Sequence, residues 1–277
     1  MIENKILNCQ CCGEKKINFT KTFNDKDFYT CNNCNSLTFL NKNFNHQDIY
    51  TQNYFKNGEY ENYIEEIKVH EKNFHRSLKI LKKYSDLSEI NLLEIGSAYG
   101  VFINLISQKL NVQNRLGIDI SKDAVKYAND NFGKYFLQSE KYLKPNFKFN
   151  LVVALDVFEH LSNPFDYFKE VIFDLEPGGY FLVQTPDYSS LNAKIRKRNW
   201  RQIHPPTHLN YATKKGIVAG LKKMGMEIVF NKNVGMYRSL NTYFKSLNFN
   251  LENKLIKNIP IYLNLFDEQL ILAKKIN

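Results

Sequence analysis

The chain has 277 residues, enough for one large domain, or for one standard domain with a small module, around a substantial core. A hydrophobic content of 43% with 14% aromatic residues excludes a disordered chain. The formal net charge of +10 suits an anionic partner, although lysine is abundant throughout and most of this charge is expected on the solvated surface. No apolar run approaches the length that crosses a bilayer, so we expect a cytoplasmic protein with no membrane partner.

The cysteines are concentrated at the amino terminus. Cys9 and Cys12 form one C-x-x-C pair, and Cys31 and Cys34 form a second pair after 18 intervening residues. Each pair can turn two thiolates towards one point, and four thiolates complete the tetrahedral shell that structural Zn²⁺ prefers. The spacing therefore predicts a zinc ribbon over residues 1–45, with Cys11 as a spare, partly buried side chain rather than an exchanging ligand.

A zinc ribbon can bind nucleic acid or another partner, or it can be a metal-stabilised module packed on its neighbour. Residues 1–45 show no organised basic face. We therefore favour the packed module and leave nucleic-acid binding as the alternative.

Residues 46–85 are predicted to connect this module to the main domain. Their first part contains Tyr50, Tyr54, Phe55, Tyr60 and Tyr63, which could line a substrate pocket or cover a domain junction. Apolar residues at helical spacing then predict an amphipathic helix over 64–84, and the main domain occupies 86–277.

A glycine turn follows the first apolar strand of the main domain. Glu94 lies near the end of this strand, Gly96 and Gly100 bound the turn, and a helix begins at Val101. Glycine allows a sharp bend and lets a ligand approach the main chain. A phosphate-binding loop would have glycine where Ala98 stands, and an acid before the turn suits a cationic ligand better.

The next strand also ends in an acid. Asp119 can accept hydrogen bonds from both hydroxyls of a ribose, with Ile120 beside it, while Ser121 is placed to cap the following helix. A weak third strand is predicted over 136–140, and it ends at Ser139 and Glu140.

The later strands complete an alternating pattern. Residues 150–155 form a nearly continuous apolar run that ends at Leu155, and Asp156 follows directly. A helix then begins at Asn163-Pro164. Residues 180–184 predict a fifth strand, and residues 268–273 predict the last one. Alternating strands and helices indicate an α/β fold with a doubly wound, mainly parallel sheet and a ligand at the carboxyl ends of its strands.

These segments together resemble the motif series of class I S-adenosylmethionine-dependent methyltransferases. Trp200, residues 204–209 and Gly225 are similar to a branch of that family that carries an amino-terminal zinc ribbon. The resemblance implies a Rossmann-like, seven-stranded sheet whose last strand is antiparallel. It also implies that S-adenosylmethionine is bound by Glu94, Gly96, Ser97, Ala98, Gly100, Asp119, Ile120, Ser139, Glu140, Leu155 and Asp156.

The loop over about 186–212 is the expected acceptor loop, because class I methyltransferases usually take their acceptor there. It contains basic residues that could hold a phosphate-bearing substrate, or that could simply be solvated. These residues are Lys194, Arg196, Lys197, Arg198 and Arg201.

Methyl transfer to a hydroxyl or an acidic carbon requires aligned reactants and a base, for which His160, His204 and His208 are the candidates. The leading hypothesis is O- or C-methylation of a sugar, a nucleotide-linked sugar or a similar small molecule, with an anionic or sugar-linked substrate expected. An RNA methyltransferase and a catalytically inactive cofactor-binding partner protein are the alternatives, and an NAD-linked oxidoreductase fits less well without the middle glycine.

Overall fold

The computed structural model describes residues 8–15, 17–23, 26–39, 63–245 and 258–276. The strands are β1 (Ile17–Phe23), β2 (Lys26–Cys31), β3 (Leu37–Phe39), β4 (Ile90–Ile95), β5 (Val112–Asp119), β6 (Phe136–Gln138), β7 (Leu151–Leu155), β8 (Tyr180–Pro186), β9 (Asn210–Tyr211), β10 (Met226–Ser239) and β11 (Pro260–Lys275). The α-helices are α1 (Ile67–Tyr84), α2 (Val101–Lys109), α3 (Lys122–Phe132), α4 (Pro164–Asp174), α5 (Leu191–Arg196), α6 (Lys214–Lys223) and α7 (Leu240–Lys245).

The main sheet has seven strands in the order β10-β11-β8-β7-β4-β5-β6. The strands from β8 to β6 in this order pair in parallel, whereas β11 is antiparallel to both β8 and β10. The central strand β7 is apolar because both of its faces are covered: Leu151 to Ala154 are all buried. The predicted α/β fold with a mainly parallel sheet is confirmed.

Side-chain capping was expected at the starts of α3 and α4, and the structure has it at α3 alone of these two. Ser121 Oγ accepts a hydrogen bond from the Ala124 amide at 3.3 Å and caps α3 as expected. Asn163, in contrast, makes no capping hydrogen bond through its side chain, and α4 relies on Pro164 in its first turn.

The carboxyl-terminal third differs most from expectation. The 14-residue strand β10 was not predicted, because its mixed polar and apolar residues lack a clean alternation. Leu, Phe and Tyr residues at helical spacing over 238–257 predict a helix there; α7 forms within this range, and residues 246–257 lie outside the described part of the chain. The aromatic residues Tyr50, Tyr54, Phe55 and Tyr60 also lie outside it.

The amino-terminal module is joined to the main domain through a shared sheet. Strand β9 pairs with β3, with Leu37 opposite Tyr211, so the acceptor loop supplies the fourth strand of the small sheet. Helix α6 packs on the cysteine turns so closely that a Cβ at Gly220 would collide with the Cys11 carbonyl oxygen. The Thr213 hydroxyl adds a hydrogen bond to the Cys34 carbonyl oxygen at 2.6 Å.

Among the described helices, none is both long and apolar enough for a membrane span.

Candidate active site

A cavity of about 1020 Å³ lies at the carboxyl ends of β4, β5, β7 and β8, closed from the side by α1 and β10. All the predicted cofactor residues except Gly100 line it. Acidic residues outnumber basic ones in the described lining, although the whole chain is basic. The acids are Glu66, Glu94, Asp119, Glu140, Asp156, Glu159, Asp166, Glu170 and Glu268, whereas the lysine and arginine residues are Lys141 and Arg238.

The glycine turn is built from left-handed backbone conformations. Gly96, Ala98 and Gly100 have φ values of +69°, +43° and +75°. A Cβ at Gly96 would collide with Val157 at the floor of the cavity, so only glycine fits there. Gly100 lies behind the lining, where a Cβ would meet Phe136 at 2.5 Å. Its absence from the cavity wall therefore reflects packing of the turn on the domain.

Asp119 ties the glycine turn to the end of β5. Its Oδ2 accepts a hydrogen bond from the Ala98 amide at 2.7 Å, and its Oδ1 accepts one from the Ser121 amide at 2.8 Å. Burial raises the pKa of Asp119, and these two amides oppose that rise. Each carboxylate oxygen has a second lone pair, so the group can still accept hydrogen bonds from a ligand.

Polar atoms without partners mark the part of the cavity nearest this turn. Glu94 Oε2 and Ser97 Oγ are buried and have no hydrogen-bond partner among the described residues. Burial raises the pKa of Glu94 well above its usual value, and the charge of Asp119 adds to the effect. Such orphaned groups fit a ligand that brings hydrogen-bond donors and positive charge.

Aromatic rings cover the same part of the cavity. The Tyr63 ring stacks on His70 with centroids 4.0 Å apart and on Tyr99 with centroids 5.1 Å apart. Tyr63 and His70 line the cavity, and burial lowers the pKa of His70 to about 4. Sequence analysis left open whether Tyr63 lines a pocket or covers a junction, and the helix predicted over 64–84 indicates His70 only as a residue of a helix face.

A hydrogen-bonded chain forms the wall at the end of β7. The Gln184 amide nitrogen donates to both oxygens of Asp156, at 2.9 and 3.1 Å, and Gln184 Oε1 accepts from Arg76 at 2.8 Å. Asp156 has a left-handed φ of +57°. The sequence identified Asp156 but missed Gln184 and Arg76, although Gln184 lies at the end of a predicted strand.

Two of the three candidate histidines reach the cavity. His160 Nδ1 lies 2.9 Å from the Thr207 carbonyl oxygen, and His208 Nδ1 lies 3.0 Å from that of Gln202. Because a carbonyl oxygen only accepts, each of these Nδ1 atoms carries a proton. His204 does not line the cavity and instead packs behind His208, with ring centroids 3.8 Å apart.

The environment keeps His208 neutral. Burial lowers the pKa of His208 well below its usual value, and the neighbouring His160 and His204 lower it further. Glu159 lies beside these rings, and its Oε2 accepts a hydrogen bond from the Thr185 hydroxyl at 2.9 Å. One carboxylate oxygen of Glu159 and one ring nitrogen each of His160 and His208 all lie within 4.8 Å of one another.

The basic residues of the acceptor loop are not gathered at the cavity. Lys194, Arg196, Lys197 and Arg198 are exposed and absent from the described lining. Arg201 instead pairs with Asp267 at 3.4 Å and with Glu268 at 3.3 Å. The structure therefore does not assemble the expected phosphate clamp.

Four cysteines converge in the amino-terminal module. Cys9, Cys12, Cys31 and Cys34 are all buried, and their sulfur atoms lie within 4.8 Å of one another. The Cys9–Cys34 and Cys12–Cys31 sulfur pairs are 3.6 and 3.7 Å apart. Tetrahedral Zn²⁺ with bonds of about 2.3 Å needs sulfur atoms roughly 3.8 Å apart, so the cluster fits this ion.

Three features define the Rossmann-like methyltransferase class. They are the mainly parallel sheet, the glycine turn that follows Glu94, and Asp119 at the end of the next strand. Residues 66–230 match the methyltransferase domain family, and the chain belongs to that family.

Curated relatives match a shorter region. A ubiquinone biosynthesis O-methyltransferase of Rickettsia canadensis is 30% identical over 112 residues, which are 39% of this chain and 47% of that protein. A malonyl-[acyl-carrier protein] O-methyltransferase of Ilyobacter polytropus is 29% identical over 100 residues, 34% of this chain and 39% of that protein. The chain thus aligns with about half the length of its curated relatives, or less.

Solved structures share the fold at low identity. A methyltransferase of Haloferax volcanii, solved in complex with the activator Trm112, has a TM-score of 0.57 and 14% identity, covering 76% of this chain and 94% of that chain. An S-adenosylmethionine-dependent methyltransferase of Thermotoga maritima has a TM-score of 0.53 and 17% identity, covering 83% of this chain and all of that chain.

Proposed function

We propose that the chain transfers a methyl group from S-adenosylmethionine to a hydroxyl group of a small molecule. The observation that carries this proposal is one cavity that joins the glycine turn and Asp119 to the polar wall of Asp156, Glu159 and His208. Donor and acceptor can thus meet at the carboxyl edge of the sheet, where α/β folds bind their ligands.

The cofactor residues have separate roles in this proposal. Asp119 accepts hydrogen bonds from the ribose, while Gly96 and Ala98 bring the backbone close to the methionine part. Glu94 and Ser97 supply the acceptors for its positive end. Ile120, Leu155, Asp156, Ser139 and Glu140 complete the lining around the adenosine. The cofactor supplies an electrophilic methyl group on a positively charged sulfur, which an acidic cavity stabilises.

The acceptor is proposed to be a hydroxyl because both curated relatives above are named O-methyltransferases. His160 and His208 lie in the acceptor wall, and the neutral His208 ring can accept a hydrogen bond through Nε2. A nucleotide-linked sugar remains a prediction, and all five of the basic residues expected to hold its phosphates lie outside the described lining.

The four-cysteine cluster is proposed to hold a structural Zn²⁺ ion. All four ligand positions are filled by thiolates, so the ion has no open site for chemistry. The module would then serve to hold β9 and the acceptor loop against the main domain.

A mass-spectrometric screen tests the activity. The zinc-loaded protein is incubated with S-adenosylmethionine carrying a deuterated methyl group and with pools of phenols, glycosides, nucleotide sugars and RNA. We expect S-adenosylhomocysteine together with a deuterated methyl group on a hydroxyl compound. Labelling of RNA alone would favour the RNA alternative, and the Asp119→Ala variant controls for background transfer.

A further inference from the structure

Glu268 is a buried acid that sequence analysis did not connect with the site. It lies on β11, which runs antiparallel to β8, and it is opposite Pro186 at the end of β8. The pairing of β11 with β8 begins at Glu268, so the antiparallel direction places this residue at the edge where the parallel strands end. Glu268 accordingly lines the same cavity as Asp156 and His208.

The carboxyl group of Glu268 is held through one oxygen only. Oε1 accepts hydrogen bonds from the side-chain amide of Gln202 at 2.7 Å and from the Arg201 guanidinium at 3.3 Å. Oε2 is buried and has no hydrogen-bond partner among the described residues. The side chain is 5% exposed, so a water shell does not replace that partner. A buried oxygen of this kind is costly unless a ligand uses it.

We propose that Glu268 binds the hydroxyl group of the acceptor and takes its proton during methyl transfer, an inference that rests on the function proposed above. The hydroxyl oxygen attacks the methyl carbon, forming the C–O bond as the C–S bond breaks. The bonding electron pair stays on sulfur and yields the neutral thioether of S-adenosylhomocysteine. The hydroxyl proton passes to the Glu268 carboxylate, so the step is balanced without another reactant.

The charges around Glu268 suit this role. Burial and the nearby Asp156 raise the pKa of Glu268 to about 8, Asp267 adds to the rise, and Arg201 and Arg238 oppose it. Glu159 and Arg76 are the other charged groups close enough to interact with it. A base works best when its pKa is near the working pH. This favours Glu268 over His208, because burial lowers the pKa of His208 well below its usual value.

The same wall indicates the class of acceptor. Asp156, Glu159 and Glu268 lie together at this end of the cavity, and each can accept hydrogen bonds from hydroxyl groups. An anionic group placed there would be repelled by each of these carboxyl groups that is ionised, and it would raise their pKa values further. The structure therefore points to an uncharged, hydroxyl-bearing reacting end, whatever charge the rest of the acceptor carries.

The test compares S-adenosylmethionine with S-adenosylhomocysteine, which differ by the methyl group and one positive charge. Calorimetric titrations of both ligands are run from about pH 6.5 to about pH 9.5 on the wild type, on Glu268→Gln and on Glu227→Gln. Glu227 is an exposed acid on the neighbouring strand β10 and controls for the lost charge. Contributions from Glu94 to the binding of the shared amino group cancel in the ratio of affinities.

We expect the preference of the wild type for S-adenosylmethionine to rise about fivefold as Glu268 ionises beside the methyl group. The rise should be retained in Glu227→Gln and absent in Glu268→Gln, while Glu268→Gln still binds S-adenosylhomocysteine as the wild type does. For any hydroxyl compound that the wild type methylates, kcat should fall about 100-fold or more in Glu268→Gln.

An unchanged pH dependence in Glu268→Gln would overturn the assignment of Glu268 and leave the proposed function intact. Failure of the folded wild type to bind either ligand would overturn both.

Discussion

Buried carboxyl groups give the cavity its chemical character at the residue scale. Glu94 and Asp119 lie at the proposed cofactor end of the cavity, and Glu159 and Glu268 lie at the proposed acceptor end. Burial is the largest cause that raises the pKa of each. These acids therefore oppose folding when they ionise, and that cost is evidence that they serve a ligand.

The pH dependence of stability tests this cost at Glu268. Its pKa is raised from 4.5 to about 8, so the folded state binds more protons than the unfolded state between these values. The free energy of unfolding should fall as the pH rises through this window and be constant, for this group, outside it. Glu268→Gln should therefore gain stability over the wild type, by up to roughly 4 kcal/mol, between about pH 5 and about pH 9.

Urea unfolding at both ends of this range measures the effect. A stability difference between Glu268→Gln and the wild type that does not change with pH would show that Glu268 titrates normally.

The glycine turn provides a second test at this scale. Gly96→Ala puts a Cβ against Val157 in the cavity floor, whereas Gly178→Ala, at a similar φ of +74°, puts one 3.9 Å from the flexible Lys274 side chain. Gly178→Ala should lose about 1–2 kcal/mol of stability through backbone strain alone, and Gly96→Ala should lose more because its Cβ also collides with Val157. Only Gly96→Ala should also bind S-adenosylhomocysteine at least about tenfold more weakly. Equal affinities in calorimetric titration would contradict a role for this turn in binding.

The contact between the small sheet and the acceptor loop is the main feature at the scale of elements. Trp200, the single tryptophan of the chain, is 1% exposed and packs in one cluster with Phe28, Leu37 and Tyr211. Phe28 and Leu37 belong to β2 and β3, so the tryptophan lies against the cysteine-bearing module. Its fluorescence should report whether that module stays docked.

Removal of zinc should release this contact. A chelator strong enough to take the proposed ion should unfold the module, expose Trp200 and shift its emission to the red. Cys31→Ser should show the shift without a chelator, whereas Cys11→Ser, which alters a buried thiol outside the cluster, should not. Unchanged emission after verified loss of zinc would mean that the module docks without the metal.

The elements also show how far sequence analysis reaches. The acids at the ends of β4 and β5 were predictable because a parallel sheet brings consecutive strand ends to one edge. Glu268 and Arg76 were not, because their positions depend on the register of an antiparallel strand and on the packing of α1. Tertiary contacts of this kind leave no local pattern. The same reason explains why His204, near His208 in sequence, lies behind the cavity wall.

At the scale of the whole molecule, charge is separated by location. The chain carries a formal net charge of +10, yet acids predominate among the described residues of the cavity lining. Exposed lysine and arginine residues such as Lys194 and Arg198 lie outside that lining. The net charge alone would suggest an anionic ligand, whereas the cavity favours a cationic cofactor and an uncharged acceptor group.

The most direct test of the account is calorimetric titration of the zinc-loaded protein with S-adenosylhomocysteine. We compare the wild type with Asp119→Ala and with Asp130→Ala, which removes an exposed acid on α3. The account predicts binding in the micromolar range for the wild type and Asp130→Ala. Asp119→Ala should bind about 100-fold more weakly, because it loses the ribose acceptor and the anchor of the glycine turn. Folded wild-type protein that binds neither this ligand nor S-adenosylmethionine would contradict it.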